Sequence, residues 1–210
     1  MDQSARAREA HRRLLAAFPD ARPALIYWSA FELLIAVVLS AQTTDMQVNR
    51  VTPELFKTYA DAAALASAGQ GTVERIIRPV GFFHQKAKTI IALARRLHEQ
   101  FDDRIPDTMD ALTTFPGVGR KSANIVLALV YGLNSGIAVD THVGRIARRL
   151  GLTGKRSADK VEIDLKRLIP EEQWRSVNLT WVLHGRKTCR AKVPLCSVCT
   201  LRDICPGIGV

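Results

Sequence analysis

FPGVGRKSANIVLALVYG, residues 115–132, decides what kind of fold this chain adopts. Pro116, Gly117 and Gly119 are poorly suited to the interior of a helix, whereas SANIVLALVYG is apolar at helical spacing and closes on Gly132. The stretch predicts a turn from Phe115 to Gly119 that joins a short helix from about Thr108 to a longer one from about Arg120. Two glycines strip side-chain cover from the turn's N–H groups, and the second helix aims its positive dipole end at the same place. Together these features suit a phosphate. The same residues would also serve as a plain tight connection between helices, so the functional reading needs support from the rest of the chain.

Charge supplies some of it. Thirty lysines and arginines face twenty acidic residues, a net charge of +10, with most of the excess after residue 105. Such a balance favours a polyanion through counterion release, and nucleic acid is the default partner. A backbone-binding turn would read the shape of the duplex and not its sequence. No membrane partner is expected, because the longest apolar run, Leu33 to Leu39, is too short to span a bilayer and lies in a helix that a soluble core would bury. The N-terminus MDQSARAREAHRRLL has no apolar stretch behind its charges, so no secretory signal is expected. Cytoplasmic placement follows, on the nucleoid in a bacterium.

Outward from the turn, the patterning is helical almost everywhere and no strand alternation survives. Ser29-Ala30-Phe31-Glu32 predicts a capping box ahead of LLIAVVLSA. Thr72 is expected to cap a short helix ended by Pro79 and Gly81, followed by AKTIIALARRLHEQF with Ile90, Ile91, Ala94 and Leu97 on one face. SANIVLALVYG, THVGRIARRLG, DKVEIDLKRLI and EEQWRSVNLTWVLHG also predict helices, three of them ending at Gly132, Gly151 and Gly185. About ten short helices result, an all-α chain long enough to bury a core and able to split it between two lobes.

The four cysteines fall in the last 22 residues, as Cys189-x6-Cys196-x2-Cys199-x5-Cys205. Disulfides would require a secreted protein, and convergent thiolates in a reducing compartment are best explained by a metal centre. Structural zinc usually takes two separated Cys-x2-4-Cys pairs. A single Cys-x2-Cys between longer arms favours wrapping a cluster, with zinc the competing choice.

Lys121 stands in the first turn of the helix after the glycine turn, where the dipole disfavours an ammonium and helps a neutral, nucleophilic amine. Downstream, Ile137-Ala138-Val139-Asp140-Thr141-His142 brings an acid to the threshold of the THVGRIARRL helix. Most aspartates at such a position are N-caps and no more. A lysine and an aspartate facing one cleft could divide a reaction at a sugar carbon, the amine attacking C1′ while the carboxylate stabilises positive charge or moves protons.

FPGVGRKSANIV, IAVDTHVGRI and HGRKTCRAKVPLCSVCTLRDIC together resemble the helix-hairpin-helix base-excision DNA glycosylases, most closely the endonuclease III group, over nearly the whole chain. The resemblance implies two helical lobes: a six-helix lobe over residues 24–133 that contains the helix-hairpin-helix, and a discontinuous lobe of residues 1–23 and 134–210 that carries an iron-sulfur cluster loop. It implies that DNA lies across the cleft between them. It also implies a 4Fe-4S cluster on Cys189, Cys196, Cys199 and Cys205, with Lys121 as the nucleophile that forms an imine and Asp140 as the catalytic acid of the motif. DNA contacts would come from Gly117, Gly119, Arg120 and Lys192, while Gln42 would fill the gap left by a flipped base. Arg186, Lys187 and Arg190 would add charge beside Lys192.

The implied activity is a bifunctional glycosylase and AP lyase that acts as a monomer on double-stranded DNA with damaged or missing bases. It would remove oxidised pyrimidines and nick the strand by β-elimination. Monofunctional relatives usually place another residue, often Tyr or Ser, where Lys121 stands. The alternatives are such a monofunctional glycosylase and a non-catalytic DNA-binding iron-sulfur module. Two residues depart from the family pattern. Phe82 occupies the place of a second wedge that is commonly a leucine, and Gly144 replaces a larger residue within VDTHVGRI.

Overall fold

A computed structural model describes residues 1–210 and divides into two compact units, residues 23–131 and residues 1–22 with 132–210. The all-α expectation holds: every regular element is a helix.

The contiguous unit holds seven helices, α2 (Ala30–Leu39), α3 (Asp45–Thr58), α4 (Ala62–Ala66), α5 (Gln70–Ile77), α6 (Phe83–Phe101), α7 (Met109–Thr113) and α8 (Arg120–Tyr131). Its centre is α2. Phe31 and all of Leu33–Leu39 are buried, so this helix is apolar on every side and packs against α3, α6 and α8. Ser29 accepts from the Glu32 N–H as expected, but the Glu32 carboxylate reaches past the cap residue to the Trp28 N–H, at 2.7 Å. The long α6 covers α4 and α5 and buries Ile90, Ile91, Ala94 and Leu97. Thr72 does not cap α5. That helix starts at Gln70 after Gly69, and the Thr72 hydroxyl accepts from Arg75 within it. The five-residue α4, capped by Asp61, is too short to show a periodicity in sequence.

The second unit gathers α1 (Gln3–Ala17), α9 (Thr141–Arg149), α10 (Ala158–Leu168) and α11 (Trp174–Lys187). Trp181 is fully buried at its centre, with α11 packed on α1 and α9. Its indole N–H donates to His11 Nδ1 (3.3 Å), and His11 Nε2 meets Ser176 Oγ at 3.0 Å. Gly132 and Gly151 close their helices in the left-handed region, as their position predicts. Gly185 does not. It lies inside α11, where a β-carbon would fall 2.7 Å from His142 Nδ1 and 2.8 Å from His142 Cβ. Here glycine permits two helices to approach closely.

Candidate active site

The turn between α7 and α8 forms as its glycines dictate. Gly117 has φ +77°, and a β-carbon there would fall 2.6 Å from Thr89 Cγ2 and 3.0 Å from Val38 Cγ1. Both the backbone conformation and the space require glycine. Gly119 is different: a β-carbon would meet nothing within 4 Å, so its face is open to an approaching group. The Gly119 carbonyl accepts from the Ala123 N–H (2.9 Å) and starts α8, leaving the first-turn N–H groups pointing forward without helical acceptors. Arg120 and Lys121 follow at once on that first turn, both exposed, while Ala123, Val126 and Leu127 anchor the helix in the core.

Gln42 and Phe82 lie in the same unit, each at the tip of a turn. Both are exposed and both adopt positive φ, 53° and 59°. For non-glycine residues this conformation is costly and needs enforcement by its surroundings. A residue bonded to the first of these turns is one that sequence reasoning missed. The Lys86 ammonium donates to Leu39 O (2.8 Å), Ala41 O (2.6 Å) and Thr43 Oγ1 (2.7 Å), and burial lowers its pKa.

Asp140 is in the other unit and is the N-cap of α9, as the plain reading of its position holds. Its Oδ1 accepts from the His142 and Val143 N–H groups, both at 2.8 Å, and Oδ2 takes no part in the cap. The apolar Ile137–Val139 run is buried and pins the approach to this carboxylate. Gly144 is buried on the same helix, where a β-carbon would lie 3.2 Å from the Arg148 guanidinium.

Two arginines of α9 carry the helix to the cysteine loop. Arg145 donates to Cys189 O and Gly185 O and contacts His142 Nδ1 at 3.1 Å. Arg149, only 7% exposed, donates to Cys189 Sγ (3.3 Å), Arg190 O (2.7 Å) and Ala191 O (3.0 Å). Lys192, exposed, is the next residue of that clamped loop. The signal for the arginines was present in Arg145-x3-Arg149, a spacing that places both on one helix face. Nothing in the pattern said that the face pointed inward.

All four cysteines line one cavity of about 160 Å³, together with Arg149 and His184. No three of the chain's Cys, His, Asp and Glu side chains are grouped closely enough to hold a single metal ion. The space these cysteines line is many times that needed for one water, room enough for a multi-atom cluster. Cys199 Sγ accepts from the Leu201 N–H and meets His184 Nε2 at 3.7 Å, as expected of sulfur positions built to carry negative charge. Burial pushes the Cys199 and Cys205 thiols up, and the neighbouring cysteines push further, so four bare thiolates would not coexist without a compensating cation.

Residues 35–171 match the model of the HhH-GPD superfamily base excision DNA repair proteins. The chain belongs to this superfamily. Among its relatives, endonuclease III of Synechocystis is 45% identical over 190 residues, covering 90% of this chain and 87% of that protein. Endonuclease III of Escherichia coli is 39% identical over 187 residues, 89% of this chain and 88% of that protein, which places this chain in the endonuclease III group. A trapped covalent intermediate of endonuclease III with DNA superimposes with a TM-score of 0.93 at 38% identity, covering 99% of this chain and 97% of that one. A thermostable thymine-DNA glycosylase at 20% identity shares the fold, with a TM-score of 0.87.

Proposed function

We propose that this protein is a base excision repair enzyme, a bifunctional DNA glycosylase and AP lyase acting on oxidised pyrimidines in duplex DNA. The observation that carries the reading is Lys121, a primary amine exposed on the first turn of α8 directly behind the open Gly119, in a chain so similar to endonuclease III throughout its length. The Gly117–Gly119 turn and Arg120 hold a phosphate. Gln42 and Phe82 occupy the space of the extruded base, a step that costs least for a poorly stacked lesion. The Lys121 amine attacks C1′ and the C1′–N bond breaks, the base leaving with a proton. Asp140, through the Oδ2 its cap leaves available, stabilises the positive charge developing on the sugar. Opening of the sugar ring gives an imine at C1′, which acidifies the C2′ proton. Loss of that proton sends its electron pair into a C2′–C3′ double bond and expels the 3′ phosphate.

Cys189, Cys196, Cys199 and Cys205 hold a 4Fe-4S cluster, which supplies cross-linking and neutralises the thiolates when bound. Arg149 ties that loop to α9 and presents Lys192 to the backbone. No helix of the chain is long and apolar enough to cross a membrane.

The test is borohydride trapping on a duplex with an abasic site. The wild type should form a stable covalent adduct and nick the strand, and Lys121→Gln should do neither while still binding. A wild type that released bases but never trapped would be a monofunctional glycosylase. One that bound damaged DNA and released nothing would be a binding module.

A further inference from the structure

We infer that Lys86 is a positioning residue for base extrusion: its ammonium holds the 41–43 turn in the shape that presents Gln42 to the duplex. The inference rests on the reading of Gln42 as the residue that fills the vacated space.

The physical case begins with what the lysine gives up. Lys86 is 7% exposed, and an ammonium taken out of water is costly unless every donor is met. An ammonium has three donors, and three oxygens of one short segment receive them: Leu39 O, Ala41 O and Thr43 Oγ1. Leu39 ends α2, where carbonyls lack helical partners and the dipole favours a cation. The bonds therefore straddle Gln42, fixing the residue on either side of it. The Thr43 hydroxyl in turn lies 3.4 Å from Ala41 O, closing the ring of contacts around a residue held at φ 53°.

Lys86 also reaches the second turn. Its own N–H donates to Phe82 O (3.0 Å), which begins the first turn of α6 after a residue at φ 59° that is 68% exposed. The turns are neighbours: a β-carbon on Gly81 would stand 3.8 Å from both Gln42 O and Thr43 Oγ1. Residue 86 thus bonds both left-handed turns, the Gln42 turn through its ammonium and the Phe82 turn through a backbone N–H that Lys86→Met leaves in place. The ordering of these tips is met on folding, before DNA arrives, which is how preorganisation raises the yield of a binding step.

The experiment compares wild type, Lys86→Met, Gln42→Ala and the double variant under single-turnover conditions, each on a duplex with one oxidised pyrimidine and on the same duplex with a ready-made abasic site. Lys86→Met should slow base release on the order of tenfold to a hundredfold, as misplacement of a reacting constellation does. It should leave strand nicking at the abasic site within about twofold, since no base there needs extrusion. The double variant should be no slower than Gln42→Ala. Thr43→Val removes one acceptor and leaves the lysine in place, so it should show the same split if Lys86→Met fails to fold. Equal losses on both duplexes for both variants would reduce Lys86 to a fold-supporting role and overturn the proposal. So would losses that multiply in the double variant, or wild-type base release by Lys86→Met while Gln42→Ala is slow. Wild-type base release by Gln42→Ala would instead overturn the reading of Gln42, and the role of Lys86 with it.

Discussion

His142 and Gly185 meet so closely that the space for a β-carbon on Gly185 is already taken, 2.7 Å from Nδ1 and 2.8 Å from Cβ of the histidine. The contact seats α11 against the first turn of α9, one residue beyond the start of the helix that Asp140 caps. Gly185→Ala would gain about 1 kcal/mol of helix propensity. It must also displace His142 Cβ, which lies next to the backbone and has little room to turn away. Overpacking of this kind costs about 1–3 kcal/mol, so the net change should be destabilising. Thermal unfolding should show a melting temperature lower than wild type, and an unchanged or raised one would mean that the helices separate freely.

The glycines of the α7–α8 turn separate fold from binding. Gly117→Ala is strained in backbone and collides with Thr89 and Val38, so it should destabilise by about 1–3 kcal/mol. Gly119→Ala meets open space and should leave the melting temperature close to wild type. If the turn approaches a phosphate, however, the added methyl stands in the way, and affinity should fall for damaged and undamaged duplex alike. Salt titration checks this. A Gly119→Ala protein with unaltered affinity would make the turn a mere connection.

His11 makes stability depend on acidity. Burial lowers its pKa from 6.5 to about 4. The indole of Trp181 donates to Nδ1, so the proton sits on Nε2 facing Ser176, and a second proton would set two N–H groups against each other. Between pH 6.5 and 4 the unfolded chain therefore binds more protons at this site than the folded one, and stability falls as the pH drops through that window. The loss reaches about 3 kcal/mol at most. Denaturant titrations should show a shallower decline for His11→Phe, although that variant starts less stable because Trp181 loses its acceptor. Parallel declines would place the pH dependence elsewhere.

How much of this was legible follows from what kind of signal each feature leaves. The α7–α8 turn was, because proline and two glycines in five residues leave few alternatives, and so was α2, whose run of apolar residues has no polar face to misplace. The all-α class followed from the same patterns, whereas the family came from the resemblance of FPGVGRKSANIV, IAVDTHVGRI and the cysteine run. Gly185 was misread as a terminator because a glycine that ends a helix and one that admits a neighbour look alike in one dimension. Lys86, Arg145 and Arg149 were passed over for a related reason. Buried cations are rare, so a lysine or arginine on a helix is taken for surface until its partners, 40 or more residues away for all but the local contacts of Arg145, are seen.

The cysteine loop can be tested without any activity. Cys199→Ser removes one of four sulfurs around the cavity and loosens the Leu201 N–H contact. The wild type should be yellow-brown, and the variant should lose both colour and bound iron. Because Arg149 then clamps a loop with no central cross-link, affinity for undamaged duplex should drop along with that for damaged duplex. A colourless wild type containing zinc would overturn the assignment.

Asp140 is both a cap and a candidate catalyst, and two substitutions pull these roles apart. Asp140→Asn keeps an Oδ1 that can accept from the His142 and Val143 N–H groups, so α9 should remain capped at a cost of about 0.3–1 kcal/mol for the lost charge near the helix dipole. Asp140→Ala loses the acceptor as well and should cost about 0.5–2 kcal/mol. If the carboxylate acts only as a cap, base release should track these stabilities, near wild type for Asn and lower for Ala. If its charge serves the reaction, both variants should fall together, on the order of a hundredfold or more, while slow trapping on abasic DNA persists in Asp140→Asn because the Lys121 amine is untouched. Single-turnover base release set beside the melting temperatures of the two variants decides between them.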